Sequence, residues 1–198
     1  MAHVNIPERN QQLRDAGEIA AFLSPFGISF EQWSTEATLP ENPTNEQILA
    51  GYSKQIDALK RKGGYVTADV INVTPDVPNL QAMLDRFNKE HTHAEDEVRF
   101  IVKGRGVFHI HPKDGPVFSI ELTPGDLINV PAGTQHWFDL CSDRTIRAIR
   151  LFKEMAGWVP AYIENGVHDE YEPLCFGPAY IAADLPAVAG LRLQRSAR

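Results

Sequence analysis

The chain has 198 residues, 43% of them apolar and 23% charged, with a formal net charge of −7. That make-up excludes disordered and fibrous classes and suits one compact domain. The negative charge disfavours nucleic acid and anionic membranes as partners, so neither is expected.

No basic stretch followed by an apolar run opens the chain, and no later segment is apolar for the length of a bilayer, so the cytoplasm is the expected compartment. His3 falls in a terminal stretch read as loose. Asp15 and Glu18 have capping-box spacing and predict a short helix running to Pro25, with Gly27 marking its end. Residues 28–34 read as a strand. Thr44 and Gln47 form a second capping box, followed by Ile48, Leu49, Tyr52, Ile56 and Leu59 at helical spacing. Lys60, Arg61 and Lys62 favour the end of that helix, and Gly63-Gly64 stops it. Residues 65–73 read as a strand and 79–87 as a short helix. From Glu97 the texture changes to short β-type runs punctuated by Gly and Pro: 97–103, 106–111, 117–122, 126–130, 135–140 and 145–152. Such spacing suggests a sandwich or barrel. The tail from about Leu185 is expected to fray. Cys141 and Cys175 are far apart and outside any Cys-x-x-Cys pair, and are read as buried or idle thiols.

The segment His91-Thr92-His93-Ala94-Glu95-Asp96-Glu97 sets two imidazoles two residues apart, on one face of an extended chain, with carboxylates just beyond. Downstream, Gly125 to His136 is a strand that ends in a Pro131-Ala132-Gly133 turn and delivers a third imidazole. The two blocks resemble the paired motifs of the cupins, G(x)5HxH(x)3–4E(x)6G and G(x)5PxG(x)2H(x)3N. His91, His93, Glu97 and Gly104 fit the first, and Gly125, Pro131, Gly133 and His136 fit the second. Asp85 and Leu140 stand where the motifs have Gly and Asn, at turn and strand positions rather than ligand positions. Glu95 and Asp96 compete for the carboxylate role; Glu97 keeps the cupin spacing and shares parity with both histidines. Three imidazoles and one carboxylate suit a divalent first-row metal with two open positions, which favours a chelating anionic substrate.

The run from His91 to Val102, the following Gly104-x-Gly106-x-Phe108, and Val130 to Leu140 further resemble the acireductone dioxygenase family. So do the helix, strand and helix before the first motif, and Arg147 to Phe152 with Gly157-Trp158 after the second. The resemblance implies an all-β cupin, a jelly-roll barrel with a few flanking α-helices, forming one domain over 1–198. Within it, 1–88 is an N-terminal elaboration, 89–160 the metal-binding core and 161–198 an extension. It implies one Fe(II) or Ni(II) per chain on His91, His93, Glu97 and His136. The implied reaction is O2-dependent cleavage of 1,2-dihydroxy-3-keto-5-methylthiopentene, an acireductone of methionine salvage. Fe(II) directs it to 4-methylthio-2-oxobutanoate and formate, and Ni(II) to 3-methylthiopropionate, formate and CO. By residue type, Arg99 would favour and hold the enediol dianion and Arg150 would be a second cation. Phe87, Phe138 and Trp158 are candidates for the apolar wall, and Glu90 and Asp96 for supporting roles. A monomer is expected. The alternatives are another metal-dependent cupin oxygenase or isomerase on a chelating substrate, and a non-enzymatic binding or regulatory cupin.

His109 and His111 form a second His-x-His, read as the polar outer face of a barrel strand because no third ligand follows at cupin spacing. Gly104-Arg105-Gly106 reads as a hairpin turn rather than a phosphate loop, and no nucleophile elbow is present, so neither nucleotide cofactors nor covalent catalysis are implied.

Overall fold

The structure is a computed structural model that describes residues 1–34, 39–154, 158–173 and 175. The 185–198 tail and Gly157 lie outside these residues. The runs read from Glu97 onward form the barrel strands: β6 (Glu97–Gly104), β7 (Gly106–His111), β8 (Phe118–Leu122), β9 (Asp126–Val130), β10 (Gln135–Leu140) and β11 (Ile146–Phe152). Earlier residues supply β1 (His3–Ile6), β2 (Gln11–Leu13), β3 (Ser29–Gln32), β4 (Thr67–Val73) and the two-residue β5 (His91–Thr92), and β12 (Ala161–Tyr162) closes the series.

Two sheets result, ordered β12-β5-β10-β7-β8-β1-β2 and β3-β9-β6-β11-β4. Every strand pairing among the described residues is antiparallel, and most join strands distant in the chain, such as β1 with β8 and β4 with β11. Residues from both sheets, among them Val4, Ile6, Phe108, Ile110, Phe118, Ile128 and Ala148, form the core between them. The β6–β7 turn depends on Gly104, whose φ is +72° and whose missing Cβ would lie 2.0 Å from the Thr145 carbonyl oxygen.

The opposite face of the five-stranded sheet is covered by the helices α2 (Asn45–Gly51) and α3 (Ser53–Gly63). Ile48, Tyr52 and Ile56 pack there on Val98, Phe100, Ile149 and Leu151, which explains why both faces of β6 are buried. The Thr44–Gln47 capping box forms as expected. The single predicted helix is instead two, kinked at Tyr52 (φ −108°, ψ 15°), although the hydrogen bonds Tyr52 N to Ile48 O and Ile56 N to Tyr52 O continue across the kink. Helix α1 (Ala16–Leu23) is capped by Asp15, and α4 (Leu80–Leu84) is the core of the predicted 79–87 helix.

Two expectations are corrected here. His3 is not in a loose end: β1 pairs with β8, placing Val4 and Ile6 in the core and His3 and Asn5 on the other face. The period of two in His3-Val4-Asn5-Ile6 carries that pattern, but over too few residues to stand out. The thiols are not idle either, because Cys141 and Cys175 are joined in a disulfide.

His109 also departs from the solvated face expected of it. It is 2% exposed and stacks on Trp137 at 4.8 Å with an interplanar angle of 4°. Its Nε2 lies 3.5 Å from Asp139 Oδ2. Burial pushes His109 down to about 3, and burial followed by the nearby Glu172 pushes the Asp139 carboxyl up to about 7. A carboxyl with a raised native pKa favours the fold while protonated. That contribution is full below the unfolded value of 3.8 and is lost as pH rises through about 7. Asp139→Asn should therefore change stability little at about pH 4 but stabilise by on the order of a few kcal/mol at about pH 8. Denaturant titrations at the two pH values check this, and an equal effect at both would refute it.

Candidate metal centre

The four ligand candidates meet at one end of the space between the sheets. His91 and His136 face each other across the β5–β10 pair of the seven-stranded sheet, and Glu97 opens β6 of the five-stranded one. His93 lies on the crossing between them, where its carbonyl accepts from Gly133 N at 2.9 Å. That bond ties the first histidine block to the Pro131-Ala132-Gly133 turn that delivers His136, with Gly133 at φ +75°. The His-x-His segment is thus not one face of a continuous strand running to Glu97, because β5 ends at Thr92. The chain changes sheets between its ligands.

All four residues are buried, and one ligand atom from each lies within 4.8 Å of all the others. Each imidazole is oriented by a main-chain carbonyl: His91 Nδ1 by Lys89 O at 2.6 Å, His93 Nδ1 by Val159 O at 3.2 Å and His136 Nδ1 by Thr134 O at 2.8 Å. A carbonyl only accepts, so Nδ1 carries the proton and a neutral ring turns its Nε2 lone pair inward. His136 Nε2 and His93 Nε2 then lie 3.0 and 3.1 Å from Glu97 Oε2, lone pair against lone pair. Such an arrangement calls for a cation in its midst. Adjacent ligands about 2.1 Å from an octahedral ion stand about 3 Å apart, so the donor set fits a divalent metal.

The electrostatics agree. Burial, and next the neighbouring His136, push His91 down to about 4 and keep it neutral. Burial alone would raise the Glu97 carboxyl, but the Arg99 guanidinium outweighs it and holds it well below the usual carboxylate range. Arg99 Nε lies 2.7 Å from Glu97 Oε1. Glu95 and Asp96 are engaged elsewhere: Glu95 accepts from Lys153 N at 2.7 Å, and Asp96 meets Lys153 Nζ at 2.7 Å, Ala132 N at 3.1 Å and Tyr65 Oη at 3.2 Å. Glu97 is left as the inward carboxylate.

Around this centre the other predicted residues divide. The Arg99 guanidinium sits over the rings of Phe138 at 4.4 Å, Phe108 at 5.2 Å and Trp158 at 5.5 Å, and Trp158 stacks on His93 at 6.1 Å. Phe87 lies 6.1 Å from His91, and its carbonyl accepts from Phe138 N. Arg150 stands opposite Arg99 on β11, but its charge is engaged by Asp69 through bonds of 2.9 and 2.7 Å. Glu90, wholly buried, lies 2.5 Å from His111 Nδ1. Asp96 holds the Ala132 turn with its side chain and the Trp158 indole N–H with its carbonyl.

Asp69, Tyr65, Lys153 and His111 were not among the predicted site residues. Each acts through a partner distant in the chain, up to 81 residues away for Asp69. The one local signal was Asp69 itself, a single charged residue inside the strand read over 65–73. No helix among the described residues is long and apolar enough to cross a membrane.

A two-sheet barrel that gathers three imidazoles and a carboxylate at one end defines a metal-binding cupin. The ARD/ARD′ family model matches residues 2–160, and the chain belongs to that family. An acireductone dioxygenase of Picosynechococcus sp. is 42% identical over 167 residues, covering 84% of this chain and 95% of the relative. One of Bacillus cereus is 42% identical over 170 residues, covering 82% and 100%. Among solved structures, acireductone dioxygenase from Bacillus anthracis with cadmium ion in its active centre superposes with a TM-score of 0.77 at 42% identity, covering 82% of this chain and 98% of that one.

The buried ion pair gives a sharp test. Glu97→Gln leaves Arg99 buried without its counter-charge and should cost about 3 kcal/mol of stability together with most metal binding. Combining it with Arg99→Met should restore much of the stability but none of the metal. Melting curves and metal content of the three proteins check both halves, and metal retention by the double variant would refute the ligand assignment.

Proposed function

We propose that the protein is an acireductone dioxygenase that uses O2 to cleave 1,2-dihydroxy-3-keto-5-methylthiopentene in methionine salvage, with one Fe(II) or Ni(II) held by His91, His93, Glu97 and His136. The observation that carries this reading is a single buried guanidinium, Arg99, touching the metal-site carboxylate and enclosed by aromatic rings. A fixed cation in a water-poor wall favours the deprotonated form of an enediol and holds the dianion against the site. Phe138, Trp158 and Phe87 form apolar surface suited to the methylthio tail, and they exclude water from a readily oxidised anion. Arg150, paired with Asp69 and 5.4 Å over the Trp158 ring, is a second guanidinium beside the same wall. Glu90 and Asp96 support the ligands through the segments they hold rather than by touching substrate.

When bound, the divalent ion supplies Lewis acidity and adjacent open positions for a chelating substrate. Fe(II) is the form that yields 4-methylthio-2-oxobutanoate and formate, and Ni(II) the form that yields 3-methylthiopropionate, formate and CO. We further infer action in the cytoplasm, as a monomer, on this small substrate rather than on nucleic acid or membrane.

Anaerobic reconstitution of the apoprotein with each metal, followed by substrate and air, should give rapid substrate loss with the two product sets, abolished by His91→Ala. No turnover with either ion, despite one ion tightly bound per chain, would sink the assignment. Arg99→Met is expected to lower kcat by about 100-fold while the protein stays folded. A loss confined to KM would instead assign Arg99 to binding alone.

A further inference from the structure

The segment after β11 lies against the outer side of the metal centre as a strap. The Val159 carbonyl orients His93. Tyr162 pairs with His91 through the β12–β5 ladder, and its hydroxyl donates to Arg86 O at 3.1 Å. Ile163 N donates to Glu90 O at 2.9 Å. Farther on, His168 and Tyr171 place their rings 6.4 and 5.9 Å from Trp137. Two of the three imidazoles are therefore positioned in part by a piece of chain that is not in the main body of either sheet.

Little burial holds that piece down. Val159 is 71% and Tyr162 50% exposed, and among the described residues from Val159 onward only Cys175 is buried. Cys175 packs with Val107 and Cys141, and its sulfur is bonded to that of Cys141, the residue directly after β10. Strand β10 carries His136. The disulfide thus ties the strap that positions His91 and His93 to the strand that bears the third imidazole. Cys175 lies beyond the family match, which ends at residue 160.

We propose that the Cys141–Cys175 bond is a redox latch: closed, it holds the strap and with it the poses of His91 and His93, and opened, it lets the strap leave and the centre release its metal faster. Opening is a two-electron reduction by a dithiol. One thiolate of the reductant attacks a sulfur of the bond, the S–S bond breaks to a mixed disulfide, and the second thiol resolves it. Cys141 and Cys175 are left as thiols and the reductant as its own disulfide. A disulfide-bearing oxidant runs the sequence backwards. Both sulfurs belong to buried residues, so exchange waits on fraying of the strap and is slow. In a reducing cytoplasm, where disulfides are rare, the latch would stand open unless oxidant is present. The inference rests on the metal site alone and not on the proposed reaction.

The test uses the full chain loaded with Ni(II), without substrate. Metal loss to a chelator, proteolytic cleavage within 163–173 and thiol labelling read by mass are followed in oxidised protein, dithiol-reduced protein and Cys175→Ser. The expected result is no labelled thiol and slow metal loss when oxidised, with roughly tenfold faster loss and new cleavage in the other two. Re-oxidation should restore the slow rate in the wild type but not in Cys175→Ser, a reversal that general destabilisation would not produce. Cys141→Ser serves as a second opening of the same bond. Equal rates of metal loss in all forms, or two labelled thiols after oxidant treatment, would overturn the proposal whatever the catalytic activity proves to be.

Discussion

A carboxylate and a guanidinium, neighbours on one face of β6 and both nearly sealed from water, set the terms for what surrounds them. Desolvating two charges is costly, and a pair of apolar side chains in the same place would often make a more stable barrel. The fold tolerates the pair because each member has further partners. Glu97 faces the imidazoles, and Arg99 lies on aromatic rings that present their negative faces to it. With Arg99 in place, Glu97 stays ionised although burial opposes it. The same guanidinium gives the apolar wall a positive point. Ligand charge, substrate charge and wall polarity thus trace back to one ion pair.

The two-sheet arrangement makes that pair usable. Neither sheet alone holds the donor set; His91 and His136 come from one, Glu97 from the other, and His93 from the crossing. A helix layer on the far side of the five-stranded sheet covers Val98 and Phe100, so the alternation of β6 turns one row toward helix and the other toward the centre. The Gly133-to-His93 bond joins the two motif blocks, so that a turn distant in sequence fixes where the crossing segment lies.

Much of this was legible in the residues. The barrel strands from β6 to β11 followed from short β-type runs cut by Gly and Pro, because strand-favouring residues and strong breakers are local signals. The ligand set followed from spacing, since His91, His93, Glu97 and His136 must keep their offsets for the donors to converge. What stayed hidden depended on partners. Strand β1 is too short for its alternation to register until β8 lies beside it. The kink at Tyr52 sits between Gly51 and Ser53, but the helical spacing of apolar residues and the hydrogen bonds both run on through it, which hid the break. The disulfide joins positions 34 residues apart that only the returning strap brings together. Asp69 looked like one charge in a strand until Arg150 on β11 met it.

All three imidazoles take their orientation from main-chain carbonyls, those of Lys89, Val159 and Thr134. Every residue type has such a carbonyl. The side chains at these three positions can therefore drift through evolution or redesign while the rings keep their poses, provided the backbone path is kept. A search for what fixes the ligands that compared only side-chain identities would pass over these positions, because what is preserved there is a direction of the chain rather than a kind of residue.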